Sequence, residues 1–144
     1  MDLSGYSIDY RPHLADAIHA MPSSNHLGIR CLGFRDGETA IEMQISPGLT
    51  FDGTHVQGAI VGVLADYAAV SAATASCPPG WFGSTTGYNV HNFAPARGER
   101  LVALGSICGR SRSAASTRSD IYSIIGDEWT PVATCLATCR LSPP

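Results

Sequence analysis

The chain has 144 residues, 44% hydrophobic and 15% charged, enough for one globular domain that buries its own core without disulfides or a metal. Its net charge of −3 at pH 7, with no basic–aromatic motif, excludes a polyelectrolyte partner such as nucleic acid. The five cysteines are odd in number and never spaced as CxxC, which excludes a secreted disulfide framework. The opening MDLSGYSIDYRPHL has neither the basic start nor the apolar run of a signal peptide, so a cytoplasmic protein is expected.

In chain order, HLADAIHAM (13–21) has helical spacing at Leu14, Ala17, Ile18 and Met21, and Pro22 is expected to stop it. Residues 1–26 thus read as a helical extension of a single 1–144 domain. LGIRCLGFRDGETAIEMQIS reads as two strands turned at Asp36-Gly37, with Ile41, Met43 and Ile45 alternating against Glu42 and Gln44. A turn-rich loop, SPGLTFDGTHVQ, leads to Gly58. From there to about Ser76 the chain is too long and too rich in Ala and Leu for a strand, so a helix is expected, ended by CPPG. That helix is long enough to consider as a membrane span. Its apolarity comes from Ala and Gly, however, and a central Asp would cost about 3 kcal/mol in lipid, so a buried helix and no membrane contact are expected.

The remainder, TTGYNVHNF, ERLVALGSICG, SAASTRSDIYSI and TPVATCLATCRL, reads as four strands separated by APARG, GRSR and GDEW. In the last, Ala133, Cys135, Ala137, Cys139 and Leu141 form one apolar face, which makes the two cysteines core residues. Hairpin-length connections imply an antiparallel sheet with the long helix on one face, an α+β arrangement. One flat sheet cannot bury such a helix; a strongly curved one can.

The chemistry centres on that helix. Asp66 is the only charged residue between Gly58 and Ser76, in a stripe of Ala59, Gly62, Ala69 and Ala73. A buried carboxylate must be paired, neutral or open to a cleft, and in a cleft it can serve as a base or nucleophile. An outer-face position or a bond to a neighbouring backbone are the plainer alternatives. At the helix start, Gly58 leaves its amide open to a carbonyl oxygen, with Gln57 as a second donor, although a glycine there is also an ordinary cap. Five of the nine arginines (Arg97, Arg100, Arg110, Arg112, Arg118) fall between 97 and 118, either a local anion site or a solvated strand surface, and there is no lysine. No HxxxH, HExxH, P-loop or GxGxxG pattern occurs, so neither a metal nor a nucleotide cofactor is expected.

VQGAIVGVLADYAAVSAA resembles the signature of hotdog-fold acyl-CoA thioesterases of the phenylacetate-pathway type, which read HGG or QGG and then a helix carrying LAD or LLD. Gln57 matches the His/Gln position, Gly58 the first Gly, Ala59 the second and Asp66 the catalytic acid. The similarity continues through TTGYNVHNFAPARGERLVALGSICGRS, with Asn89, Phe93 and Pro95 in the family's strand pattern. The resemblance implies a hotdog fold, a helix wrapped by a curved antiparallel sheet, and hydrolysis of an acyl-CoA to a free acid and CoA. Asp66 would act as general base or nucleophile, the Gly58 amide and Gln57 would polarise the carbonyl, and Thr85 would help position water. Gly53, Thr54, His55, Asn89, Arg110, Ser111 and Arg112 would meet the substrate. CoA enters only as part of that substrate, with no separate cofactor. The family places its sites at subunit interfaces, so a homodimer or a dimer-of-dimers tetramer is implied.

Two features depart from the pattern. Phe51 stands where many relatives carry Asn, and the loop FDGTHVQG is one residue longer, with His55 as the insertion; either Thr50, Asp52 or His55 replaces the missing polar group, or that role is absent. The departures keep open a non-catalytic acyl-CoA binder, or an enoyl-CoA hydratase or dehydratase using His55 or His91 beside Asp66. Tyr67, Trp81, Phe82 and Phe51 are candidates either for an acyl pocket or for the core.

Overall fold

The computed structural model describes residues 1–144. It contains helices α1 (Pro12–Ala20), α2 (Pro22–Leu27) and α3 (Gly58–Ala75), and strands β1 (Ile29–Arg35), β2 (Glu38–Gln44), β3 (Phe82–Asn92), β4 (Arg100–Arg110), β5 (Ala114–Ile125) and β6 (Glu128–Ser142). The strands form one antiparallel sheet in the order β1-β2-β4-β5-β6-β3. The connection from β2 to β3 therefore carries α3 across the whole sheet, and the helix touches every strand. This is the hotdog fold.

The sheet can close around α3 because the helix is made of small residues. Ala65, Ala68, Ala69, Ala72 and Ala73 are fully buried, and Leu64 is the one large side chain buried as completely. On β4, Gly105 lies so close to the Ala68 carbonyl that a Cβ would overlap it. On β5, the buried Ser119 hydroxyl donates to the Ala65 carbonyl at 2.9 Å, so its polar group is satisfied inside the core. Ten of the 18 residues of α3 are buried. Although its mean hydropathy of 1.5 would suit a membrane span by length and composition, the apolar surface is taken up by the sheet.

Hairpin chemistry sets the register. Gly37 (φ +64°) and Gly126 (φ +57°) sit in the β1–β2 and β5–β6 turns in the left-handed conformation that glycine tolerates best. The second turn is tighter than GDEW suggests: β6 begins at Glu128, and Trp129 packs edge-on against Tyr122 at 5.6 Å. Ala133, Cys135, Ala137, Cys139 and Leu141 all face inward, as their alternation predicts. Ile41 and Met43 do too, while Ile45 lies just beyond β2 and is partly buried.

Pro22 both stops and starts a helix. It ends α1 by lacking an N–H, and its fixed φ suits the first position of α2, which closes on Gly28 (φ +70°). Helix α2 is latched to the core by Tyr67, whose hydroxyl lies 2.5 Å from Ser23 Oγ and accepts from the buried Ser24 hydroxyl at 3.1 Å.

The two sheet edges differ. Ser7 covers β1 by exchanging two 3.0 Å backbone hydrogen bonds with Phe34. The other edge, β3, is 11 residues long and pairs with β6 on one side only.

Candidate functional site

Asp66 sits halfway along α3, half-buried, where the helix passes beneath β3. Thr85 of β3 donates its hydroxyl to Asp66 Oδ1 at 2.6 Å, a short charge-assisted bond that fixes the carboxylate while leaving Oδ2 without a bonded partner. Both residues open onto a cavity of about 680 Å³. Its walls are Leu14, Ala17 and Ile18 of α1, Tyr67 and Val70 of α3, and the segment leading into β3, including Trp81 and Phe82. Of the four aromatic residues weighed as pocket or core, three thus line this cavity. The site is predominantly apolar with one anchored carboxylate at its edge.

The thiols nearest this carboxylate are inert. Burial pushes the Cys135 and Cys139 thiols up, and the negative charge of Asp66 pushes in the same direction. Neither is a candidate nucleophile.

A bulge aims Thr85. The β3–β6 register slips between Thr85 and Gly87, leaving Thr86 outside the ladder, with its hydroxyl on the Thr138 carbonyl at 3.0 Å. Before the bulge, odd-numbered residues face α3: Gly83 packs against Thr74, and Thr85 meets Asp66. After it, even-numbered residues do: Tyr88 and Val90 lie over Gly62, and Asn92 over Gly58. Asn89 and His91 are therefore turned to the outer face, with Asn89 opposite the exposed Leu136. The asparagine beside the helix start is Asn92, which simple alternation from Thr85 would have placed on the wrong side.

The start of α3 forms a different neighbourhood. Gln57 occupies the N-cap position, is exposed, and makes no capping bond with its side chain; its backbone N–H donates to the Leu49 carbonyl at 3.0 Å. A Cβ on Gly58 would lie 3.3 Å from Asn92 Nδ2, so the glycine keeps this approach to the first amides of the helix open. Gly58 and Asn92 line a second cavity, of about 470 Å³, with Phe51, Asp52 and His55. Gly58 and Asp66 are eight positions apart, about 12 Å along the helix axis, and the two line different cavities. Within one chain, the helix start and the acid do not converge on one carbonyl.

The loop before α3 is tightly organised. Phe51 N–H donates to the His55 carbonyl (3.1 Å), and Val56 N–H to the Ala96 carbonyl (2.8 Å). Asp52 Oδ1 accepts from the backbone of Thr54 (2.9 Å) and His55 (2.7 Å), while its Oδ2 lies 2.6 Å from His55 Nδ1. The His55 backbone bond, then its side-chain bond, hold the Asp52 carboxyl down at about 2. Gly53 (φ +90°) allows the turn, and its N–H donates to Thr50 Oγ1 at 2.9 Å. Phe51, 67% exposed, stacks on the His55 ring at 5.9 Å.

The arginines have largely local tasks. Arg110 donates to the Ser76 carbonyl at 2.7 Å, and Arg11 donates to the carbonyls of Ala75 (2.8 Å) and Cys77. Two guanidinium groups thus close the C-terminal, negative end of α3, a role with no local sequence signature because Arg11 comes from 64 residues upstream. Ser111 shapes the β4–β5 turn by accepting the Ala114 N–H at 3.2 Å. Arg112 is exposed beside it, and neither it nor Arg110 borders the two cavities.

No protein-family model and no curated protein sequence matches the chain. Solved structures do. A thioesterase family protein from Silicibacter pomeroyi superposes with a TM-score of 0.87 at 22% identity, over 94% of this chain and 99% of that one. The Escherichia coli PaaI protein of the phenylacetic acid degradation operon gives 0.79 at 16% identity, over 92% and 93%. A thioesterase from Haemophilus influenzae gives 0.80 at 16% identity, over 92% and 90%. At these identities the likeness establishes the fold.

Proposed function

We propose that the protein is an acyl-CoA thioesterase in which Asp66 activates water, or attacks the thioester carbonyl directly, at the mouth of the apolar cavity. The observation that carries this reading is the Thr85–Asp66 pair: a carboxylate fixed at 2.6 Å beside an apolar space of about 680 Å³. Such a space takes an acyl chain, and the carboxylate meets the carbonyl at its end. The thioesterase names borne by structures of the same fold agree with this chemistry.

The second requirement is a donor for the oxyanion, and the amide of Gly58, about 12 Å away along its own helix, is too far to supply it. A second copy of the chain resolves this. The unpaired edge of β3, with Tyr88 (53%) and Phe93 (60%) exposed in and beside it, is the surface on which two copies would join. Antiparallel pairing there sets the Gly58 end of one α3 against the Asp66 region of the other. The active form is then a homodimer or a tetramer built from such dimers, and five unpaired cysteines suit a cytoplasmic setting.

The test is release of free thiol from a panel of aliphatic and aromatic acyl-CoAs. Asp66→Asn is expected to lose turnover by about 10³-fold or more with the fold retained, and unchanged hydrolysis would sink the assignment. The 12 Å separation also favours a specific second reading, an acyl-CoA binder, should the chain be monomeric. Thermal stabilisation by acyl-CoA with no thiol release would establish it. A hydratase using His55 or His91 beside Asp66 is not favoured within one chain, since His91 faces outward and His55 lines the other cavity.

A further inference from the structure

The cavity at the start of α3 contains a feature that the oxyanion role does not use. Only two titratable side chains line it, Asp52 and His55, and they are paired: Asp52 Oδ2 to His55 Nδ1 at 2.6 Å. The remaining walls come from Val56, Gly58 and Val61 on one side, and Asn92 with the Ala94–Ala96 segment on the other, none of them ionisable. The pair is held from several directions. Asp52 accepts two backbone N–H groups in addition to the imidazole, and Phe51 stacks on the ring nearly parallel to it, at 19°. With Nδ1 engaged by the carboxylate, Nε2 is the ring nitrogen left to meet a ligand. His55 keeps about a third of its side chain exposed (31%), so the ring also reaches solvent.

We propose that His55, oriented by Asp52, donates the proton to the departing thiolate when the thioester is cleaved. The proposal rests on the thioesterase reading, and it adds a group for the second half of the reaction. A carbonyl held at the Gly58 amide keeps the scissile C–S bond inside the cavity that His55 lines. As the C–O bond to water forms, the water proton passes to the Asp66 carboxylate of the second copy in the dimer. When the tetrahedral intermediate collapses, the C–S bond breaks and the electron pair goes to sulfur. The His55 imidazolium gives its Nε2 proton to that sulfur, and the neutral ring keeps its Nδ1–H on Asp52. Solvent then returns a proton to Nε2 and removes one from Asp66, so the balance is one thioester and one water to one acid and one thiol.

Leaving-group dependence separates this role from one in shaping the loop. An alkyl thiolate is more basic than a nitro-substituted aryl thiolate and needs more help in departing. Hexanoic and phenylacetic acids are each prepared as the N-acetylcysteamine thioester and as the p-nitrothiophenyl thioester. All four are assayed with wild-type protein and with His55→Gln, whose thermal midpoint is checked alongside. The expected result is a fall of about tenfold or more on the alkyl thioesters and less than about twofold on the aryl ones. An equal fall on both classes, or no fall on the alkyl thioesters, overturns the proton-donor role while leaving Asp66-dependent hydrolysis standing. Hydrolysis of none of the four by the wild type overturns both.

Discussion

The two cavities along α3 both reach the core, and they differ in what encloses them. Beside Asp66, the floor reaches the core at Ile18, 1% exposed, and the small residues of the helix let β3 approach closely enough for Thr85 to reach the carboxylate. Beside Gly58, the floor also reaches the core, at Val56, Val61 and Ala96, and the outer wall is a surface loop whose shape comes from hydrogen bonds to Asp52 and from one stacked aromatic pair. The Ile18 wall is fixed by packing, where each lost methylene is felt; the Asp52–His55 loop is fixed by polar bonds at the surface, where packing counts for little. The difference implies that global stability and local geometry can be perturbed separately at the middle and the start of a single helix.

The largest effect should come from the packed wall. Ile18→Ala removes a fully buried wall of the Asp66 cavity and is expected to cost about 2–5 kcal/mol of unfolding free energy, read as a lower denaturant midpoint. Its counterpart at the loop, Phe51→Ala, changes a residue 67% exposed and should move the same midpoint by less than about 0.5 kcal/mol. Equal losses in the two variants would break the contrast.

Thr85→Val should act on chemistry more than on stability. It deletes the bond to Asp66 Oδ1, and a hydrogen bond to a charged group is worth about 1.5–3 kcal/mol. A fall of about 10- to 100-fold in kcat with KM little changed is expected in the thioester assay.

The smallest effect is an acid-labile latch. The Asp52 carboxyl is held down at about 2, below its ordinary value of 3.8, by the His55 backbone N–H first and the His55 side chain next. A lowered folded value means that the latch stabilises the loop fully above about pH 4 and is lost as the pH falls through 2. The His55 and Thr54 amide resonances followed by NMR over that range should move together, while those of residues around Asp66 should not follow the same curve.

Much of this architecture was legible in the residues. Period-2 alternation located the strands, the Ala-rich run located α3, and the lone acid within it marked the candidate site. The less legible features depend on long-range or one-residue effects. Alternation predicts facing residues only while the register holds, and the bulged Thr86 exchanges Asn89 for Asn92 at the helix start. The GRSR arginines have the composition of an anion site, yet the nearest free partner for Arg110 is the exposed carbonyl end of α3. Gln57, Gly58 and Asp66 are close in sequence, and the rise of an α-helix is what sets them apart.

The bulge in β3 also governs how this site can change. Side-chain substitutions on either side of Thr86 alter what faces the helix without altering which positions face it. The strand therefore behaves as two segments joined by a phase shift, one serving the acid and the other the helix start. Only a change in chain length, a residue gained or lost near Thr86, can bring the two into a common phase, and it would reverse one half as a whole. Insertions and deletions in this strand are thus the steps by which such a site would be rewired, while point changes tune each half in place.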